Sequence, residues 1–232
     1  MLQLHQFHPA MGLLNASPFC MKAEMYLKMA GLEYKNVYED RPNGPKGKLP
    51  FLSESGKLVP DSSAIIDYLK ETRGDALDGE LDSQQQGLGV AVQRMLEEHL
   101  YFALLYFRWI DDAGWDLTRQ AFFSRLPPGL SLIMPPLLRS LTRTTLKRQG
   151  MGRHTAAEIE QRGRADIAAL SHLMGEKLYL LGDQPSSFDA CVYAFLANLQ
   201  PPAADNVLAQ TVSSYSNLVA YCHRMHERYL FS

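Results

Sequence analysis

The hydrophobic patterning divides the chain into an α/β domain over residues 1–72, ordered βαβ then ββα, and an all-helical domain over 83–232. Three observations predict this division. Segments that read as strands occur only before Asp61, a Gly- and Asp-rich linker runs from Thr72 to Asp82, and beyond it the apolar residues recur at helical spacing.

In the first domain Leu2, Leu4 and Phe7 mark a short strand, followed by a loop from His8 to Ala16 with Gly12 and Asn15 as turn residues. Ser17-Pro18 then starts a helix, because the serine hydroxyl can accept from free backbone N–H groups and proline is pre-set for the first helical position. Phe19, Cys20, Ala23, Leu27 and Ala30 continue it, and Gly31 ends it. Tyr34 to Tyr38 is β-rich, so the first three elements form a parallel βαβ unit with a right-handed crossover. A charged loop from Glu39 to Gly47 leads into two short apolar runs, Pro50-Phe51-Leu52 and Lys57-Leu58-Val59, joined by the turn residues Ser-Glu-Ser-Gly as a hairpin. Asp61-Ser62-Ser63 opens the next helix, with Ala64, Ile65, Tyr68 and Leu69 on one face.

In the second domain Ser83 to Ile110 reads as one long helix with a broad apolar face, broken by Asp111 to Gly114. A short helix over Trp115–Phe123 follows, and Pro127-Pro128 and Pro135-Pro136 frame further short segments. Further helices are predicted over Leu137–Gln149, Thr155–Leu178, Ser187–Gln200 and Ser213–Tyr229. Ser186 and Asp189 have the spacing of a capping box, a folding signal rather than a catalytic pair.

Composition narrows the function classes. A formal charge of −2 over 232 residues suggests no nucleic-acid role. There is no run of 18 apolar residues, and MLQLHQFHPA has neither the basic nor the apolar part of an export signal, so a cytoplasmic protein is expected. Cys20, Cys191 and Cys222 are odd in number and widely spaced, which fits a reducing compartment rather than a disulfide framework. His223 and His226 share helical ligand spacing, but no thiol or carboxylate groups with them, and no metal site is expected.

Two stretches carry a family resemblance: KGKLPFL entering the hairpin and DSSAIIDYL opening the next helix. With SPFCMKAEMYLKMAG and EEHLYFALLYFRW they resemble the glutathione transferase superfamily, near the branch of failed axon connections and metaxin-like proteins and their bacterial relatives. The resemblance implies a thioredoxin-like first domain, a homodimer, and glutathione as co-substrate with no further cofactor. It also implies that Pro50 follows a cis bond and that the strand it enters pairs with the glutathione backbone.

The residues themselves match what glutathione needs. Leu49, just before Pro50, offers a backbone edge to a peptide. Ser62 and the free N–H groups behind it offer a carboxylate seat, Asp61 can take the α-amino group, and Lys48 is a candidate for the glycine carboxylate. Ser17 is the candidate donor to the thiolate, where a hydroxyl and a helix N-terminus together lower a thiol pKa; Asn15 is a second candidate in the same loop. Cys20 falls on the apolar face, where burial disfavours a nucleophile. Tyr101, Phe102, Tyr106, Arg108 and Trp109, with Met11, define the region expected to receive an apolar electrophile. The activity expected is conjugation of glutathione to a small hydrophobic electrophile. The alternatives are a glutathione-dependent thiol reductase working through Cys20 and a transferase-fold binding protein without turnover.

Overall fold

The computed structural model describes residues 1–124 and 127–231; Ser232, the last residue of the expected second domain, lies outside them. Strands β1 (Leu2–Gln6), β2 (Tyr34–Tyr38), β3 (Phe51–Glu54) and β4 (Lys57–Pro60) form one sheet in the order β2-β1-β3-β4. β1 and β2 are parallel, whereas β3 pairs antiparallel with both β1 and β4. Helix α1 (Pro18–Met29) makes the crossover between β1 and β2, and α2 (Ser62–Arg73) follows β4, giving the expected thioredoxin-like βαβ-ββα order. Leu4, Leu52, Leu27, Ile65 and Leu69 are fully buried among these elements.

The expected helix over 83–110 is continuous but not uniform. It runs as α3 (Ser83–Met95), a π-helical turn over Leu96–Leu100, and α4 (Tyr101–Trp109). Apolar periodicity does not signal such a turn, because one wider turn leaves the flanking apolar stripes intact; π-turns are frequent at functional positions. Asp111 caps α5 (Asp112–Phe123), and α6 spans Pro128–Gln149. Pro135 and Pro136, expected to frame short segments, lie inside α6 instead. They remove two helical donors, a loss that a largely exposed helix tolerates because water can serve the carbonyls left over. Helices α7 (Ala156–Met174), α8 (Ser187–Asn198), α9 (Val207–Ser213) and α10 (Ser216–Leu230) complete the second domain. α7 stops at Gly175, earlier than its apolar pattern suggested, because that residue takes a positive φ of 57°. α9 was not evident in the sequence; Asn206 caps it, its side-chain oxygen accepting from the Leu208 and Ala209 N–H groups.

The linker is stitched down rather than loose. Asp78 is buried, accepts from the backbone N–H of Ser187 at 2.6 Å and from its hydroxyl, and pairs with Lys70. The capping box is present as read: Ser186 N–H and Oγ both donate to Asp189 at 2.8 Å, while Asp189 also accepts from Leu180 N–H and Tyr221 OH. Burial holds the Asp189 carboxyl above the usual range against these donors. The sheet domain meets the helical one chiefly where α1 lies along α8 and α10.

Candidate functional site

Ser17 caps α1 in extended backbone (φ −92°, ψ 117°), and its hydroxyl accepts from Cys20 N–H at 3.5 Å. Ser17 stays part-buried at the helix end, where Pro18 brings no N–H, the Met21 N–H donates to Ser17 O at 3.0 Å, and the Phe19 N–H lies too early in the helix for a helical partner. What holds it there is the segment just before it. Asn15 is fully buried; its amide donates to Phe7 O at 2.7 Å and Gln6 Oε1 at 3.2 Å, and its Oδ1 accepts from Ser17 N–H at 2.9 Å. Asn15 thus has its amide and its carbonyl oxygen engaged within the loop and is fully buried, whereas Ser17 is part-buried. Gln6 continues the polar string by donating to Glu24 at 2.7 Å and to Asn36 at 3.0 Å.

The Leu49–Pro50 peptide is cis, as the resemblance implied. Leu49 and Phe51 pack on Cys20, so the entry to β3 borders the first turn of α1. Gly44 explains how the preceding loop reaches this place: a Cβ there would lie 2.2 Å from the Lys48 carbonyl oxygen. Asp61 is strained, with φ at 79°, and is held by its N–H donating to Pro50 O at 3.2 Å and its carbonyl accepting from Ile65 N–H at 2.9 Å. Its carboxylate caps Ser63 N–H at 3.0 Å, and Ser62 beside it is buried. Leu49, Pro50, Asp61 and Ser62 are thus brought together, with the α1 start next to them. Lys48 is exposed at the rim of this group.

Cys20 is fully buried, and burial pushes its thiol up to about 12. The Cys191 and Cys222 thiols are buried and raised for the same reason. The residues named for the electrophile region do not all face one way. Tyr101 meets Phe19 edge-on at 4.9 Å and remains part-buried beside α1, but Trp109 turns to α5, packing on Trp115 and Phe122. Arg108 is buried against the α1 entry. Both residues point elsewhere because α5 folds back on α4 and gives the indole an aromatic partner, while the guanidinium finds carbonyls inside.

Two groups went unnoticed in the sequence. Lys22 on α1 is buried and donates to Glu97 at 2.6 Å and to Ser63 Oγ at 2.8 Å; Gln93 donates to both Ser63 Oγ and Glu97. Asn198 at the end of α8 donates to Asn15 O at 3.3 Å and accepts from Arg108. The available signal was charge at core spacing, since Lys22 lies among the apolar residues of α1 and Glu97 follows Leu96.

Comparison with known proteins bears on this geometry. Residues 18–114 match the profile of the glutathione S-transferase N-terminal domain, and residues 163–225 match that of the C-terminal domain. The chain is 34% identical over 99% of its length, and 99% of the relative's, to isoprene-epoxide–glutathione S-transferase of Rhodococcus sp. strain AD45. It belongs to the glutathione S-transferase superfamily. Within that superfamily it lies near the failed axon connections and metaxin branch. It is 30% identical to Failed axon connections of Drosophila melanogaster over 98% of the chain, which spans 57% of that protein, and 26% identical to human metaxin-2 over 94% of the chain and 84% of that protein. A β-etherase structure from Sphingobium sp. strain SYK-6 superposes with a TM-score of 0.69 at 18% identity, covering 100% of this chain and 99% of the other, which shows the transferase fold. No described helix is long and apolar enough to cross a membrane.

Proposed function

We propose that this transferase-family chain activates the thiol of glutathione at Ser17 and directs it to a small apolar electrophile. The observation that carries the reading is the α1 cap: a half-exposed hydroxyl at a helix N-terminus, beside a group that offers a peptide edge at Leu49 and a carboxylate seat at Asp61 and Ser62. In this reading the γ-glutamyl carboxylate sits on the α2 N-terminus, Asp61 takes the α-amino group, Leu49 pairs with the tripeptide backbone, and Lys48 meets the glycine carboxylate. The thiolate accepts from Ser17. With an epoxide, its sulfur bonds to a ring carbon as the C–O bond breaks, and the resulting alkoxide takes a proton from water. Glutathione is then a co-substrate, and the catalyst is the protein alone.

An isoprene-epoxide transferase among the relatives supports an epoxide as the first electrophile to try. A soluble cytoplasmic homodimer completes the proposal, supported by the family and by the outward row Leu130, Ile133, Leu137 and Leu141 on α6. The decisive experiment combines glutathione calorimetry with conjugation of a small alkyl epoxide and an aromatic halide. Binding with conjugation supports the reading. Binding without conjugation favours a second one, a transferase-fold binding protein, which similarity to Failed axon connections and metaxin-2 motivates. A thiol reductase working through Cys20 is disfavoured by the burial of that thiol.

A further inference from the structure

Arg108 on α4 is buried, with 7% of its surface exposed. Its Nη1 donates to the Ala16 carbonyl at 2.5 Å, and its Nη2 donates to the backbone and side-chain oxygens of Asn198 at 2.9 and 3.1 Å. All three acceptors are neutral carbonyls. Among the described residues no carboxylate lies within ion-pair distance of the guanidinium, whereas Lys22, equally deep in the same domain interface, has Glu97. Burial lowers the Arg108 pKa only to about 10, so the group is a cation at neutral pH. A buried cation without a counter-ion is costly, and its position is informative: it grips the residue immediately before the Ser17 cap.

Such a charge favours any anion that forms nearby. The titratable groups around it do not supply that anion. Tyr101 on α4 and Cys20 on α1 are both raised by burial and stay neutral, and Asp205, before α9, is exposed at the mouth of the crevice that Arg108 lines. Glu24, further along α1, is occupied by Gln6, Tyr34 and Asn36. We infer that Arg108 is a positioning residue of the thiol site, anchoring the Ala16–Ser17 peptide from the second domain and lending its positive charge to a thiolate at the α1 cap. The inference rests on Ser17 marking the thiol position, as proposed above.

A reporter thiol tests the field without requiring turnover. In Ser17→Cys the introduced thiol can be alkylated while the three native thiols are buried, and the pH dependence of alkylation gives its pKa. Adding Arg108→Gln is expected to raise that pKa by about one unit, a roughly tenfold loss of alkylation rate below the pKa, as a full charge at short range in a medium of intermediate dielectric would. Adding Arg108→Lys, which keeps the charge but not the fork, is expected to leave the pKa close to that of Ser17→Cys alone. An unchanged pKa in folded Arg108→Gln, or an equal rise with lysine and glutamine, would overturn the inference. Should Arg108→Gln fail to fold, Asn198→Asp places a neutralising carboxylate against the guanidinium; the same rise is expected, and an unchanged pKa would overturn the inference there too. The ultraviolet thiolate band of glutathione mixed with the unsubstituted protein separates the two proposals. A reporter shift with no glutathione thiolate sinks the transferase reading and leaves only the Arg108 field at the α1 cap, and ionised, conjugated glutathione with no reporter shift sinks the Arg108 inference and leaves the transferase reading.

Discussion

Two buried cations cross the interface between the domains, and they are solved differently. Lys22 reaches from α1 to Glu97 in the π-turn and also holds Ser63 in the first turn of α2. Arg108 reaches from α4 to Ala16 in front of α1 and, among the described residues, is met by carbonyls and by no carboxylate within ion-pair distance. In the first the buried ammonium has a carboxylate partner, Glu97, which the exposed Arg94 also approaches at 3.4 Å, so the buried charge is compensated and serves to fix geometry. The second leaves a positive charge beside a helix N-terminus. Under the proposed function the contrast becomes a division of labour, in which the Lys22 end would build the seat for the γ-glutamyl group and the Arg108 end would prepare the place of the sulfur.

The largest effect that can break this contrast is on stability. Glu97→Ala strands the Lys22 ammonium among buried atoms and is expected to cost about 3–5 kcal/mol in urea denaturation. Lys22→Met combined with Glu97→Leu should recover most of that loss, because an apolar pair of similar volume has no charge to desolvate. A single-substitution cost below about 1 kcal/mol, the range of an exposed pair, would mean that water reaches this site and the pairing argument fails.

The next two effects separate binding from chemistry. Asp61→Ala should weaken glutathione binding by about 1.5–3 kcal/mol, the scale of a charge-assisted hydrogen bond, and unchanged affinity in calorimetry would remove Asp61 from the seat. Ser17→Ala should leave affinity nearly as it was while slowing conjugation by roughly one to two decades, equivalent to about 1–3 kcal/mol of thiolate stabilisation. The pH at which bound glutathione ionises should rise with it. If affinity falls and the rate at saturation does not, the two ends have been assigned the wrong way round.

The smallest expected effect concerns Cys20, which lies between the two ends. Its thiol is held protonated to about 12 by burial, so Cys20→Ser should not alter the pH–rate profile of conjugation. The sign of its stability contribution follows from the same shift. The folded thiol keeps its proton above the ordinary thiol value of about 8.5, so its contribution is complete below that pH and is lost as pH rises toward 12. Thermal unfolding of Cys20→Ser across this alkaline window should therefore fall less steeply than that of the unsubstituted chain. An altered conjugation profile below about pH 8 would restore the reductase alternative.

Much of the proposed site was legible because its cues are local. Ser17-Pro18 reads as a cap followed by a first helical residue, and Asp61-Ser62 as a second helix start, whatever surrounds them. The hairpin register follows from two short apolar runs and the turn between them. The choice between Ser17 and Asn15 was not legible, since both are short polar residues in one loop. That the Asn15 amide is engaged inside the loop became visible only when β1 brought Gln6 and Phe7 against it. The prolines of α6 misled for a related reason, because local propensity marks a break that an exposed, continuing helix can absorb.

The sequence by itself determined the βαβ-ββα order and the two helix caps, because turn chemistry, capping and periodicity act over a few residues at a time, and its motif stretches carried the family resemblance. Only the tertiary structure decided which charges are buried together. Lys22 and Glu97 are 75 residues apart and Arg108 and Ala16 are 92, so no spacing rule joins them. The physical reason is desolvation. A lysine or arginine in sequence is an ordinary solvated charge, and it becomes a lock or a source of field only when the packing of α1 against α4 and α8 takes its water away and leaves it with a carboxylate or without one.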